Sequence, residues 1–280
     1  MRFEKWQALG NDYVIVEVGA LPWELTAERV RHLCAPHFGI GSDGILLLSE
    51  GQDPGHVAEL RIFNPDGSEA ELSGNGARQA ALYLRHAGWT NADEFTILTN
   101  GGEIRPTIIS PDTATLAMGR ASLTSPDFPS GSADGRGVLG AGGRQWPFQH
   151  VSIGNPQCVI EAGEEVEELD LGAVGPEIER SELFPNRTNV SFVRIAGSAV
   201  RARIFERGVG ETLSSGTGAS GAAVAAVLRG AASPITVTLD GGELRVEVDQ
   251  DLDVRLTGTA EPVFQGELSP ELVRALEAAG

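Results

Sequence analysis

Residues 61–82, RIFNPDGSEAELSGNGARQAAL, return 142 positions later as residues 203–224, RIFERGVGETLSSGTGASGAAV. The window of 22 residues holds ten identities: Arg61/Arg203, Ile62/Ile204, Phe63/Phe205, Glu69/Glu211, Ser73/Ser215, Gly74/Gly216, Gly76/Gly218, Ala77/Ala219, Ala80/Ala222 and Ala81/Ala223. A second echo precedes each copy, where GNDYVIVE at 10–17 is answered by GNPQCVIE at 154–161. A period this long describes paired halves and excludes a solenoid, whose units are a few tens of residues. Each half must hold a Gly-Asn turn, a strand pair, and a Gly-rich turn opening a small-residue helix.

The length permits this. A chain of 280 residues suffices for two domains of ordinary size. Its net charge of −18 argues against nucleic acid, which requires clustered Lys and Arg to neutralise phosphates, and against anionic membranes for the same reason. No run of about 18 apolar residues occurs, and the start MRFEKWQALGND lacks a basic-then-apolar leader, so a cytoplasmic location is expected. Cys34 and Cys158 sit in apolar contexts and read as small core residues.

In chain order, FEKWQALGNDYVIVEV reads as two strands about a turn containing Asn11, a residue suited to turns. Thr26 is placed to cap a helix that ends at Pro36. His32 and His37, five apart, do not share a helix face, so no metal site is expected. GIGSDGILLL is a turn into a buried strand, and HVAELRIFNPDGSEAEL a strand pair about Asn64-Pro65-Asp66-Gly67. Ser73 caps a helix running to about Arg85, with Gly88 beyond its end. Antiparallel strands follow to about Met118. From Ala121 to Gln145, Ser, Pro, Gly and Asp dominate, and this stretch reads as a linker and long loop. The second half opens at VSIGNPQCVIEA, passes an acidic run at 164–170 that reads as a solvated face, and reaches the strand RTNVSFVRI. Three further strands and a short helix capped by Ser269 complete the chain.

Each Ser-Gly-x-Gly-Ala start points unsatisfied backbone N–H groups and a positive dipole end in one direction, a natural seat for a carboxylate. If the halves pack about a pseudo-twofold axis, both helix tips meet one cleft, with Ser73 and Ser215 on either side of the bound group. A matched pair of proton-handling residues on opposite faces of a carbon is what inversion at an amino-acid α-carbon needs. Ser is equally a good N-cap, and from the residues alone both roles stand.

The stretches ALGNDYVIVE, FNPDGSEAELSGNGAR, GNPQCV, RTNVSFV and FERGVGETLSSGTGAS, in this order, resemble the diaminopimelate epimerase family of pyridoxal-independent amino-acid isomerases over nearly the whole chain. The resemblance implies an α+β fold of two pseudo-symmetric domains, each a mixed sheet wrapped around a central helix: residues 1–118, joined by 264–280, and residues 119–263. It implies a cofactor-independent epimerase of lysine and peptidoglycan precursor synthesis, with a small amino-acid substrate and room for a homodimer. Asn11, Asn64, Asn155, Asn189, Glu206 and Arg207 are implied to contact substrate, Arg207 at the distal carboxylate and Glu206 at the distal ammonium. Gly74-Asn75 and Gly216-Thr217 are implied to supply amides to the proximal carboxylate. Without the resemblance, Glu206 and Arg207 read as an exposed ion pair.

Four positions depart from the family pattern. Both helix-leading residues, cysteines in the family, are Ser73 and Ser215; a histidine after the second Gly-Asn-Pro is Gln157; and Gly44 stands where some members carry glutamine. A thiol at a helix N-terminus becomes a base at neutral pH, whereas a serine hydroxyl needs an adjacent base. The alternatives to an epimerase are therefore a related isomerase or dehydratase using one base, such as Glu206, and an amino-acid-binding protein without turnover.

Overall fold

The computed structural model describes residues 1–51, 53 and 55–278. The chain divides into two compact units, Met1–Leu116 with Gly258–Gly280, and Ala117–Thr257.

The first unit begins with β1 (Arg2–Ala8), β2 (Asn11–Glu17), α1 (Ala27–Cys34), β3 (Ile45–Glu50), β4 (Ala58–Phe63) and the two-residue β5 (Glu69–Ala70). Helix α2 (Gly74–His86) then leads to β6 (Ile97–Thr99), β7 (Gly102–Ile104), β8 (Pro106–Ser110) and β9 (Thr113–Arg120). The second unit contains β10 (Arg136–Ala141), β11 (Arg144–Ser152), β12 (Pro156–Glu161), α3 (Leu171–Glu179), β13 (Asn189–Ala196), β14 (Ala199–Glu206) and β15 (Gly210–Thr212). It continues through α4 (Gly216–Leu228), β16 (Ile235–Leu239), β17 (Gly242–Val248) and β18 (Asp253–Thr259). Strand β19 (Glu261–Glu267) and helix α5 (Pro270–Ala278) belong to the first unit.

The repeat is legible in the pairing. In the first unit β1–β2 is antiparallel, β2–β3 parallel, β3–β4 and β4–β5 antiparallel, β4–β6 parallel and β6–β7 antiparallel. In the second, β11–β12, β12–β13, β13–β14, β14–β15, β14–β16 and β16–β17 repeat the same six senses in the same order. An outer strand joins each by antiparallel pairing, β19 on β1 and β10 on β11.

The parallel pair β2–β3 of the first unit is buried on both faces, as the unbroken apolar runs YVIV and ILLL require. Tyr13, Ile15, Leu46 and Leu48 pack with Ala80, Ala81 and Leu84 of α2, while Val14, Val16, Ile45 and Leu47 pack with Val30 and Leu33 of α1 and Leu276 of α5. In the second unit one face carries Cys158, Ile160, Val190 and Phe192 against Leu171 and Ile178 of α3. The other face holds α4, buried from Gly218 through Ala226. A helix buried all round reads apolar all round, and the Gly and Ala of α4 let strands approach it closely. A Cβ at Gly221 would lie 3.0 Å from that of Gln157, and one at Gly218 would lie 2.6 Å from Ile204 Cδ1.

The stretch expected to be a linker is structured in its second part. Residues 136–152 form the hairpin β10–β11, with Ala141 opposite Arg144 across the two-residue turn Gly142-Gly143. Both glycines have positive φ, 58° and 73°, the geometry that two-residue hairpins favour. Glycine-rich composition hid the strand because Gly137 packs under an aromatic ring: a Cβ there would lie 2.7 Å from Phe148 Cε1. Helix α3 also goes unseen in the sequence, since Gly172, Gly175 and Pro176 oppose helix propensity. Asp170 caps it, accepting from the Ala173 N–H at 3.1 Å. The return to the first unit begins at Gly258, ahead of the expected 264, and β19 pairs with β1 from Glu261 to Glu267 around a bulge at Val263. Among the described residues, no helix is long and apolar enough to cross a membrane.

Candidate functional site

The two helix tips are built alike. Ser73 (φ −132°, ψ 122°) leads α2 and Ser215 (φ −139°, ψ 118°) leads α4, each extended in backbone. Ser73 Oγ accepts the Gly76 N–H at 3.1 Å, and Ser215 Oγ accepts the Gly218 N–H at 3.2 Å. Both serines are thus N-caps, and Gly74-Asn75 and Gly216-Thr217 open the first turn of each helix. Two further identities of the repeat brace the approach to each tip. Arg61 bonds Glu69 at 2.8 Å, and Arg203 bonds Glu211 at 2.9 Å, across β4–β5 and β14–β15.

Around α2, Asn11 donates its amide to Asp43 Oδ2 at 2.9 Å, and Gln79 donates to the Asn11 carbonyl at 3.0 Å, pinning the helix to the start of β2. Asn64 donates to Ser68 Oγ at 3.0 Å within its turn. Asn75 is buried and accepts from Arg78 Nη2 at 2.8 Å. Arg78 is fully buried, and desolvation lowers its pKa to about 10, so it remains a cation at neutral pH. It adds to the positive end of the α2 dipole; its counterpart in α4 is the neutral Ser220, which donates to the Gly216 carbonyl.

Around α4, Asn155 donates to Thr217 Oγ1 at 3.3 Å and accepts from Gln157 Nε2 at 2.6 Å. Asn189 Oδ1 accepts the Arg207 backbone N–H at 2.8 Å, so this asparagine shapes the turn after β14. Glu206 accepts from Thr212 Oγ1 at 2.8 Å, and Arg207, exposed, donates to the Asn186 carbonyl at 2.9 Å. Glu206 and Arg207 are thus each tied to a neighbouring segment, Glu206 to Thr212 and Arg207 to Asn186.

The structure thus groups Asn11, Ser73, Gly74 and Asn75 through α2 and β2 in one unit, with Asn64 at the end of β4. In the other it groups Asn155, Ser215, Gly216 and Thr217, with Asn189 and Glu206 on β13 and β14 and Arg207 in the turn after β14. Sequence reasoning did not single out Glu179 or Tyr13. Glu179, 2% exposed, accepts the Gly208 N–H at 2.8 Å and faces Arg187 at 3.4 Å and Arg180 at 3.7 Å. It anchors the turn that carries Arg207, and no local motif marks it. Tyr13 directs its hydroxyl to Ser73 Oγ at 3.3 Å; its place directly after Gly-Asn-Asp was the available signal.

The profile of the diaminopimelate epimerase family matches residues 3–124 and 149–263. The chain belongs to the diaminopimelate epimerase family. A diaminopimelate epimerase of Synechococcus sp. (strain JA-3-3Ab) is 42% identical over 278 residues, spanning 95% of this chain and 97% of that protein. The chloroplastic diaminopimelate epimerase of Oryza sativa subsp. japonica is 38% identical over 283 residues, spanning 95% of this chain and 79% of that one. The family's fold extends to remote solved structures. A hydroxyproline epimerase from Agrobacterium vitis, with bound trans-4-hydroxy-L-proline, superposes with a TM-score of 0.68 at 16% identity, covering 98% of this chain and 94% of that one. The unmatched gap, residues 125–148, holds the hairpin β10–β11 up to the middle of its second strand.

Proposed function

We propose that the chain is a diaminopimelate epimerase that interconverts the LL and meso forms without a cofactor, Ser73 and Ser215 serving opposite faces of the same α-carbon. The observation carrying this reading is the pairing of two identically capped helix tips with a family match over most of the chain. One serine takes the α-proton as its own hydroxyl proton passes to an adjacent acceptor such as Glu206 or a bound water, and the other gives its hydroxyl proton to the opposite face of the carbanion, whose electron pair forms the new carbon–hydrogen bond, and is re-protonated in turn. The amides of Gly74-Asn75 and Gly216-Thr217 hold the proximal carboxylate and spread the negative charge that develops on it. Arg207 pairs with the distal carboxylate and Glu206 with the distal ammonium, while Asn11, Asn64, Asn155 and Asn189 orient the substrate between them.

A hydroxyl is a weaker base than a thiolate. A helix dipole contributes at most about 2 kcal/mol, and one pKa unit takes about 1.4 kcal/mol, so the turnover expected of this pair is slow. A cytoplasmic homodimer is the accompanying proposal, checked by light scattering. The central test is exchange of the α-proton of LL- or meso-diaminopimelate for deuterium in heavy water without pyridoxal phosphate. Exchange that rises in the double variant Ser73→Cys with Ser215→Cys supports the reading. Binding without exchange in both proteins reassigns the chain to amino-acid binding, and absence of both reassigns it to another substrate.

A further inference from the structure

The repeat makes Tyr13 the counterpart of Gln157, and here the two half-sites part company. Gln157 turns its amide to Asn155, whereas Tyr13, 5% exposed, donates its phenol O–H to Ser73 Oγ at 3.3 Å. Ser73 Oγ also accepts the Gly76 N–H, so its two lone pairs face two donors and its own proton is directed elsewhere. The phenol is held there by packing. Tyr13 lies on the α2 face of the sheet among Ile15, Leu46 and Ala80, and its ring fills the space above Gly44, where a Cβ would come within 2.7 Å of Tyr13 Cε1. The Val14 N–H bonds the Gly44 carbonyl at 3.0 Å, locking ring and glycine together.

We infer that Tyr13 is a positioning residue that supplies and recovers the proton of Ser73. This rests on the reading of Ser73 as a proton-handling group. When Ser73 protonates the α-carbon, its O–H bond breaks, a C–H bond forms with the carbanion electron pair, and the Tyr13 proton moves to Oγ, leaving a phenolate. In the opposite direction the phenolate takes the Oγ proton as Oγ takes the α-proton, and the electron pair stays on the substrate. A phenol, with an ordinary pKa near 10, carries the negative charge that an aliphatic hydroxyl holds poorly. A Cβ at Gly44 would meet the Phe63 carbonyl oxygen at 2.2 Å as well as the ring, so backbone and ring together require the glycine.

Tyr13→Phe keeps the ring and removes only the hydroxyl. In the serine protein it is expected to lower α-proton exchange at least 30-fold with substrate KM changed less than threefold. In the Ser73→Cys background, where a thiolate needs no relay, the loss shrinks at least tenfold. A second measurement is independent of turnover. Cys34 and Cys158 are buried, so iodoacetamide reports the thiol introduced by Ser73→Cys, and its alkylation at fixed pH is expected to slow about three- to tenfold when Tyr13→Phe removes the donor to the thiolate. Equal losses in both backgrounds, or an unchanged alkylation rate, overturns the assignment. If neither the unmodified protein nor the Ser73→Cys, Ser215→Cys variant exchanges the proton, the epimerase reading fails by itself, while the alkylation ratio still decides whether the phenol reaches position 73.

Discussion

Removing the charge of Glu179 tests how the turn bearing Glu206 and Arg207 is held. Glu179→Gln preserves shape and one acceptor while neutralising a carboxylate whose side chain is 3% exposed. Its 2.8 Å bond from the Gly208 N–H changes from charge-assisted to neutral, a difference of about 1 kcal/mol. Arg187 and Arg180 are 53% and 69% exposed, so solvent screens both pairs and each contributes about 0.5 kcal/mol at most. The expected loss is about 2 kcal/mol, read as a lower urea midpoint with unchanged slope, or a fall of about 4–8 °C in Tm for a chain of this size. Loosening the turn is also expected to weaken the proposed Arg207 contact with substrate. About 1.4 kcal/mol there corresponds to a roughly tenfold rise in KM with kcat nearly constant. A variant with the parent's urea midpoint, or one that loses stability while KM stays put, would refute the proposed anchoring.

Two further perturbations probe the packing beneath the second half-site. His150 is buried against Phe128 and Phe184, and burial holds its pKa below the ordinary 6.5 in spite of the nearby Asp127. The unfolded state then binds the proton more readily, so stability is full above about pH 6.5 and falls as pH drops from there through the depressed folded value. Unfolding free energies between pH 5 and 8 should show this slope, and His150→Gln should flatten it. Gly175 of α3 lies on the Phe205 ring, where a Cβ would meet Cγ at 2.6 Å. Gly175→Ala is therefore expected to destabilise by about 1–2 kcal/mol by overpacking, against its gain in helix propensity. Gly172→Ala on the same helix, with only Asp170 Oδ1 within reach at 3.2 Å, is expected to show no such loss in thermal melts.

What the sequence by itself determined was the duplication and everything local to it. Alternating or continuous apolar runs at 13–16 and 45–48 demand strands, and a serine before a Gly-rich helix demands a cap, because both depend on residues only a few positions apart. The helix tips at Ser73 and Ser215, and the turns at Asn11 and Asn155, were legible for that reason. Tertiary structure alone decided where glycine is a packing surface instead of a breaker. Gly137 lies under Phe148 and Gly175 on Phe205, and the residue that requires each gap is distant in sequence, so the hairpin β10–β11 and helix α3 stayed hidden. It also decided that the halves differ in chemistry. Tyr13 meets Ser73 from a different strand and Glu179 reaches Gly208 from a different helix, contacts set by how sheet and helix stack and written in no spacing along the chain.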